Sequence, residues 1–359
     1  MTGKKDRESN VELLRIVMSV GVIFLHYINP DMGGAFRYVI KGSINYEILM
    51  WMEAFFEIAV NVFVIMAGYF GCQSQKRNLW KAIQLLAQVS LISLVSYLVK
   101  VAIGDKELSI IRIVNACLPA NYYAVLYVAL FCVAPYINLL LITLHEKGQL
   151  KKMVITVGVI FSVWPTIVDL ISNIANVSWV GLSTIGAFGS QWGYTFTNFC
   201  LLYIIGGYIR LEGRENLCKK SLKRLCLIFL VNVIVIDLWS RVGELSVENS
   251  AWEYCNPVVI INAAIIFVLF RRLRMGNVVW INRLGAGAYT VYLLHMVFIR
   301  FLDIEKAVNS SLAFMLCHMI ISAVAIYLMC WLFYLGYKKI SDPIWRFLMK
   351  YIRMPEIYC

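Results

Sequence analysis

Apolar and polar positions alternate on a long scale in this chain. Ten apolar runs cover residues 10–29, 47–70, 79–102, 122–144, 153–174, 195–209, 225–240, 255–270, 286–302 and 311–335. Each is long enough to be a helix rather than a strand. Most approach the roughly 20 residues a spanning helix needs. The pattern predicts an all-α polytopic integral membrane protein with about ten transmembrane helices. Residues 1–359 read as a single membrane domain, with a final span and basic tail over 311–359. The stretches between the runs are too short for a separate globular domain.

Composition agrees with this reading. The chain is 61% hydrophobic and 15% charged, with mean hydropathy +0.74. Soluble domains run near 45–50% apolar and about 25% charged. The first run contains Arg15 and lacks a small-x-small site, so it reads as a retained helix rather than a cleaved signal. Ser9 and Glu12 have the spacing of a capping box at its start.

A net charge of +12 invites a nucleic-acid reading. The distribution of that charge removes it. Of the 33 Lys and Arg, 24 lie in the N-terminal tail, the alternate loops that follow from it and the C-terminal tail; eight lie on the other side. The excess reports topology: both termini cytoplasmic and an even number of spans. Loops near 71–80, 145–152, 211–224 and 271–284 are then cytoplasmic, and those near 30–46, 103–120, 175–194 and 241–254 external. Ten cysteines are scattered with no C-x-x-C and no Cys/His cluster, so neither a zinc site nor a disulfide framework is expected. No phosphate-loop or nucleophile-elbow motif occurs.

Polar residues inside spans carry the chemical information, because each is expensive in hydrocarbon. Arg15 and His26 are eleven residues apart on the first helix. Eleven steps of about 100° return to within about 20°, and a rise of about 1.5 Å per residue separates them by about 16 Å. They share one face at opposite depths. Two readings are open: Arg15 snorkelling to headgroups with an interfacial His26, or both residues in one cleft. Glu12 is placed to pair with Arg15. On the second helix Glu53 and Glu57 lie one turn apart, near the expected depth of His26, with Asn61 beyond. Either carboxylate can be interfacial and solvated, or can orient the His26 ring. Tyr289, Tyr292 and His295 recur every three residues on the ninth helix and share a face. His318 has no polar neighbour at helical spacing and reads as a core histidine; His145 reads as interfacial, and Asp237 with Arg241 as a structural pair. Tyrosines and tryptophans near span ends read mostly as an aromatic belt.

These pieces occur together in a known order. Glu12-Leu13-Leu14-Arg15 through His26-Tyr27 gives an R-x10-H helix. Val60-Asn61-Val62-Phe63 leads to Ala67-Gly68-Tyr69-Phe70. Asn121-Tyr122-Tyr123, Tyr127 and Pro135-Tyr136-Ile137-Asn138 follow. Then come Tyr203-Ile204-Ile205-Gly206-Gly207-Tyr208, and Leu284-Gly285 through Tyr292-Leu293-Leu294-His295. The ordered set, across residues 11–295, resembles the membrane acyltransferase-3 family. It departs from the family pattern at Ala67, where Ser is usual, and at Tyr122-Tyr123, where Trp-Phe is usual.

The resemblance implies transfer of an acyl group, usually acetyl from acetyl-CoA, to a hydroxyl of a bacterial envelope or capsular polysaccharide or its lipid-linked precursor, at the inner membrane. It implies His26 as general base or acyl carrier and Arg15 as holder of the CoA phosphates. Glu53 or Glu57 would support His26, and Tyr289, Tyr292 and His295 would line the acyl-CoA path. No metal and no nucleic-acid partner are expected. A polysaccharide polymerase or flippase, or a secondary transporter, are the alternatives that multi-span polar residues also permit.

Overall fold

The computed structural model describes residues 7–213, 221–242 and 249–358. All ten apolar runs are helical. The main helices are α1 (Ser9–Ile28), α2 (Ile44–Phe56), α3 (Ala59–Gly71), α4 (Leu79–Ala102), α5 (Tyr122–Glu146) and α6 (Leu150–Ala175). They continue as α7 (Phe196–Leu211), α8 (Leu222–Ser240), α9 (Pro257–Arg271), α10 (Val279–Gly285), α11 (Ala288–Ile299) and α12 (Leu312–Tyr351). Among the described residues seven helical stretches are long and apolar enough to cross a membrane: α1, α2 with α3, α4, α5, α6, the stretch ending in α9, and α12. Helices α7 and α11 are apolar but shorter.

Burial sorts the helices as a membrane protein requires. The helices that carry polar side chains, α1 and α2–α3, are mostly buried inside the bundle, whereas α4, α5 and α6 leave most of their apolar surface outside. On α8 the side chains of Leu227, Leu230, Val231, Ile234 and Leu238 are exposed together, a surface suited to lipid. Helix α1 lies at the centre, packed against α2, α3, α9, α10, α11 and α12. Its Leu14, Met18 and Val22 join one buried apolar cluster, while Ile23, Phe24, Tyr27 and Ile28 join a second. Arg15 and His26 are therefore carried by a helix supported on several sides.

Three differences from the sequence reading bear on the site. The second run is broken: α2 ends at Phe56, Glu57 and Ile58 form a turn, and α3 resumes at Ala59. The ninth run starts with a turn: Ala286 and Gly287 separate α11 from α10, a short helix that precedes the run. The last run does not end at 335. Helix α12 is 40 residues long, about 60 Å at 1.5 Å per residue, twice a hydrocarbon core of about 30 Å. Hydropathy falls after Leu335, but Lys, Arg, Leu and Met are good helix formers, so polarity does not stop the helix. Beyond it, β2 (Glu356–Tyr358) pairs antiparallel with β1 (Lys76–Asn78), which leads into α4.

Several buried polar groups are paired between helices, as an apolar solvent favours. Asn138 donates to the carbonyls of Gly71 and Ser74 at 2.8 and 2.7 Å and accepts from Tyr203 Oη at 2.9 Å. Asn61 donates to Tyr254 O at 2.8 Å. Helices α3 and α7 cross closely because each offers glycine at the contact: a Cβ on Gly68 would strike the Tyr203 carbonyl, and one on Gly206 the Ile65 carbonyl. The capping box does not form. Glu8 is the N-cap without a side-chain bond, and Ser9 Oγ instead donates to Asn282 Oδ1 at 3.0 Å and accepts from Val278 N at 2.7 Å. Glu12 is used by arginines, Arg7 at 3.5 Å and Arg15 at 3.6 Å. His318 does have a polar partner, Tyr27 Oη at 2.9 Å, supplied by α1 rather than by its own helix. His145 contacts Glu212 at 3.5 Å, and Arg241 binds both Asp237 and Glu47 at 3.0 and 2.7 Å.

Candidate active site

Arg15 and His26 open on two different cavities. The first, about 240 Å³, is lined by Arg15, Tyr123, Tyr127, Tyr289 and Tyr292 with apolar residues of α3. It adjoins a second of about 390 Å³ through Leu85 and Tyr127, where Lys81, Gln84, Gln88 and Asp342 lie. The Arg15 side chain is 36% exposed, and Nη1 meets Glu12 at 3.6 Å. His26 lines a smaller cavity, about 70 Å³, with Glu53, Glu57, Trp192, Tyr194, Trp252 and Tyr254.

The face of α11 connects the two. Tyr289 and Tyr292 belong to the Arg15 cavity. The Tyr292 ring lies 4.9 Å from Tyr123 and 6.4 Å from His295. His295 is buried and its Nε2 meets His26 Nδ1, the rings stacked with centroids 4.7 Å apart. The three-residue spacing on this helix thus builds one continuous wall from Arg15 to His26.

Proton placement in the histidine pair follows from one bond. His295 Nδ1 lies 2.9 Å from the Val291 carbonyl oxygen. A carbonyl can only accept, so Nδ1 carries a hydrogen and Nε2 of a neutral His295 is an acceptor. His26 Nδ1 must then be the donor to it. That leaves His26 Nε2 with its lone pair free, on the ring that borders the small cavity.

The two glutamates are placed differently from the simplest sequence reading. Both are buried, at 8% and 6% exposure, and both line the His26 cavity. The His26 nitrogen that would take an orienting carboxylate faces His295 instead. Glu53 Oε2 is buried without a hydrogen-bond partner, and the Glu57 backbone sits in the turn between α2 and α3.

Nothing in the sequence singles out the tryptophans and tyrosines of this cavity, which Phe36 also lines. Trp192, Tyr194, Trp252 and Tyr254 stand near helix ends, where a belt at the membrane surface is the default expectation. The fold turns them inward. Tyr194 packs on Tyr254 with centroids 5.0 Å apart, and Trp252 stacks on Phe36 at 5.9 Å. Burial pushes the Tyr194 phenol up to about 12, with Glu57 adding to the shift. It stays a hydroxyl donor at neutral pH.

A family profile described as an acyltransferase domain matches residues 8–335. The chain belongs to the acyltransferase-3 family. No curated protein and no solved structure matches it. With its spanning helices, the acyltransferase is a multi-pass membrane enzyme. Residues 8–335 include both cavities' Arg15 and His26 and the whole α11 wall.

Proposed function

We propose that this membrane acyltransferase moves an acetyl group from cytoplasmic acetyl-CoA to a hydroxyl of an envelope or capsular polysaccharide, or of its lipid-linked precursor, in the bacterial inner membrane. The observation that carries the reading is the placement of two chemically distinct cavities on one helix, joined by the wall of Tyr289, Tyr292 and His295. Arg15 sits in the larger one with most of its guanidinium fork free of Glu12, which suits a phosphate or pyrophosphate. Lys81 adds positive charge in the adjoining space. The tyrosine-lined cavity around Arg15 suits the pantetheine arm. His26 Nε2, at the other end, suits an acceptor hydroxyl.

In the reaction His26 Nε2 takes the proton as the acceptor oxygen bonds to the thioester carbonyl carbon. The C–S bond then breaks, and the same proton passes to the departing thiolate, so ester and free thiol form with no net change in protons. Tyr292, whose hydroxyl rests on Asn121 Oδ1 at 3.5 Å, turns to donate to the carbonyl oxygen as charge builds there. Purified enzyme with labelled acetyl-CoA and envelope glycan should yield labelled glycan with new O-acetyl methyl signals by proton NMR. No label in any glycan fraction overturns the assignment.

Arg15→Lys tests the donor end. A lysine keeps the charge but not the planar fork. The KM for acetyl-CoA should rise about tenfold, roughly 1.4 kcal/mol, while the KM for the acceptor stays the same. Equal donor kinetics would return Arg15 to a headgroup role.

The direction of transfer rests on both termini being cytoplasmic, as the basic residues suggest. In a background without the native cysteines, Lys106→Cys, following α4, should react with an impermeant thiol reagent in intact cells. Lys147→Cys, between α5 and α6, should not. The reverse pattern would invert donor and acceptor sides.

A further inference from the structure

The segment Gly189-Ser190-Gln191-Trp192-Gly193 has unusual backbone. Gly189 and Gly193 have φ of +78° and +80°, and Gln191 and Trp192 have φ of 51° and 53°. Residues with side chains rarely adopt this region, and when they do the surroundings must hold them there. Here they do. Ser190 N donates to Asp169 Oδ2 at 3.2 Å, and Ser190 Oγ accepts from Trp192 N at 3.2 Å. Trp192 O accepts from Tyr254 N at 2.9 Å, and Gly193 O from Asn198 Nδ2 at 3.1 Å. A Cβ on Gly193 would meet Cys255 N at 2.5 Å. The result is a fixed turn that brings the Trp192 indole, 38% exposed, to the rim of the His26 cavity.

That cavity offers about 70 Å³. A pocket that takes a whole small-molecule ligand runs to about 300–1,000 Å³, so this one takes only the hydroxyl edge of an acceptor. The rest of the acceptor must lie on the rim. On two residues that line it, Glu53 Oε2 and Trp252 Nε1 are buried without partners, one an acceptor and one a donor. A pyranose fits both demands. Its hydroxyl edge can satisfy the carboxylate and the indole N–H, and its C–H face can lie on an indole.

We infer that Trp192 is the specificity-determining platform of the acceptor site, seating the C–H face of a sugar ring so that one hydroxyl reaches His26. This rests on the glycan-acceptor reading and adds to it the residue that selects a ring over a simple alcohol. Binding and transfer are separable in the test. Saturation-transfer NMR with the full-length enzyme in nanodiscs, without donor, reads binding of methyl glucosides, galactosides and mannosides. Labelled acetyl-CoA then reads transfer to the same sugars and to glycerol. Trp192→Ala should weaken sugar binding and raise the sugar KM by about tenfold or more, while Trp192→Phe stays within about threefold. The donor KM of both variants should be unchanged, which shows that they fold. His26→Ala should still bind sugar. Sugar binding by Trp192→Ala equal to wild type, or no binding of any hexoside by wild type, overturns the platform. Sugar bound by wild type but never acetylated overturns the glycan-acetyltransfer reading and leaves the platform standing.

Discussion

Replacing His26 with alanine should abolish acetyl transfer while leaving the protein inserted and folded. A general base contributes about 10²–10⁴-fold, and His26 Nε2 is the ring nitrogen left free beside the acceptor cavity once Nδ1 is engaged by His295. The side chain is only part-buried, and the apolar residues around it on α1, Ile23, Tyr27 and Ile28, are untouched. Folding should therefore survive. Labelled acetyl-CoA incorporation at matched protein levels measures the effect. Transfer within tenfold of wild type would remove His26 from the chemistry.

His295 gives the second large effect, and its variants separate orientation from packing. His295→Met keeps comparable volume but removes the acceptor that fixes the His26 tautomer. His295→Gln supplies a carbonyl oxygen near the former Nε2. The Met variant should lose about 10²-fold or more in kcat with little change in either KM, since a wrong tautomer at a catalytic histidine is costly even when geometry is kept. The Gln variant should stay within about tenfold of wild type. Its pH–rate profile should follow wild type, whereas the Met profile should be displaced. If Met and Gln are equally active, His295 only fills space.

How far the site was legible depends on which residues are compared. Arg15 and His26 are linked by helix geometry alone: eleven residues fix both the shared face and the separation, whatever surrounds the helix. Tyr289, Tyr292 and His295 are linked in the same way, and the structure places them along one wall. The partner of His26 was not legible. It lies 269 residues away, and a nearer carboxylate on α2 was the stronger local signal. Glu53 and Glu57 do reach the cavity, but the ring turns its Nδ1 to another helix.

The aromatic rim was illegible for a different reason. A tryptophan near a span end has the same sequence signature whether it faces headgroups or a cavity. Trp192 is decided by the turn at 189–193, which is held by Asp169, Asn198 and the backbone of Tyr254 and Cys255. The sequence by itself determined what is local or additive: helices from runs of apolar residues, faces from the 3.6-residue period, and an expected sidedness from the distribution of lysine and arginine. The tertiary structure decided what needs two distant segments at once. Those are the breaks at Glu57–Ile58 and Ala286–Gly287, the proton order in the histidine pair, the reach of α12 to Tyr351, and the inward turn of the aromatic residues. Each is set by contacts whose cost or gain exists only after the helices have packed.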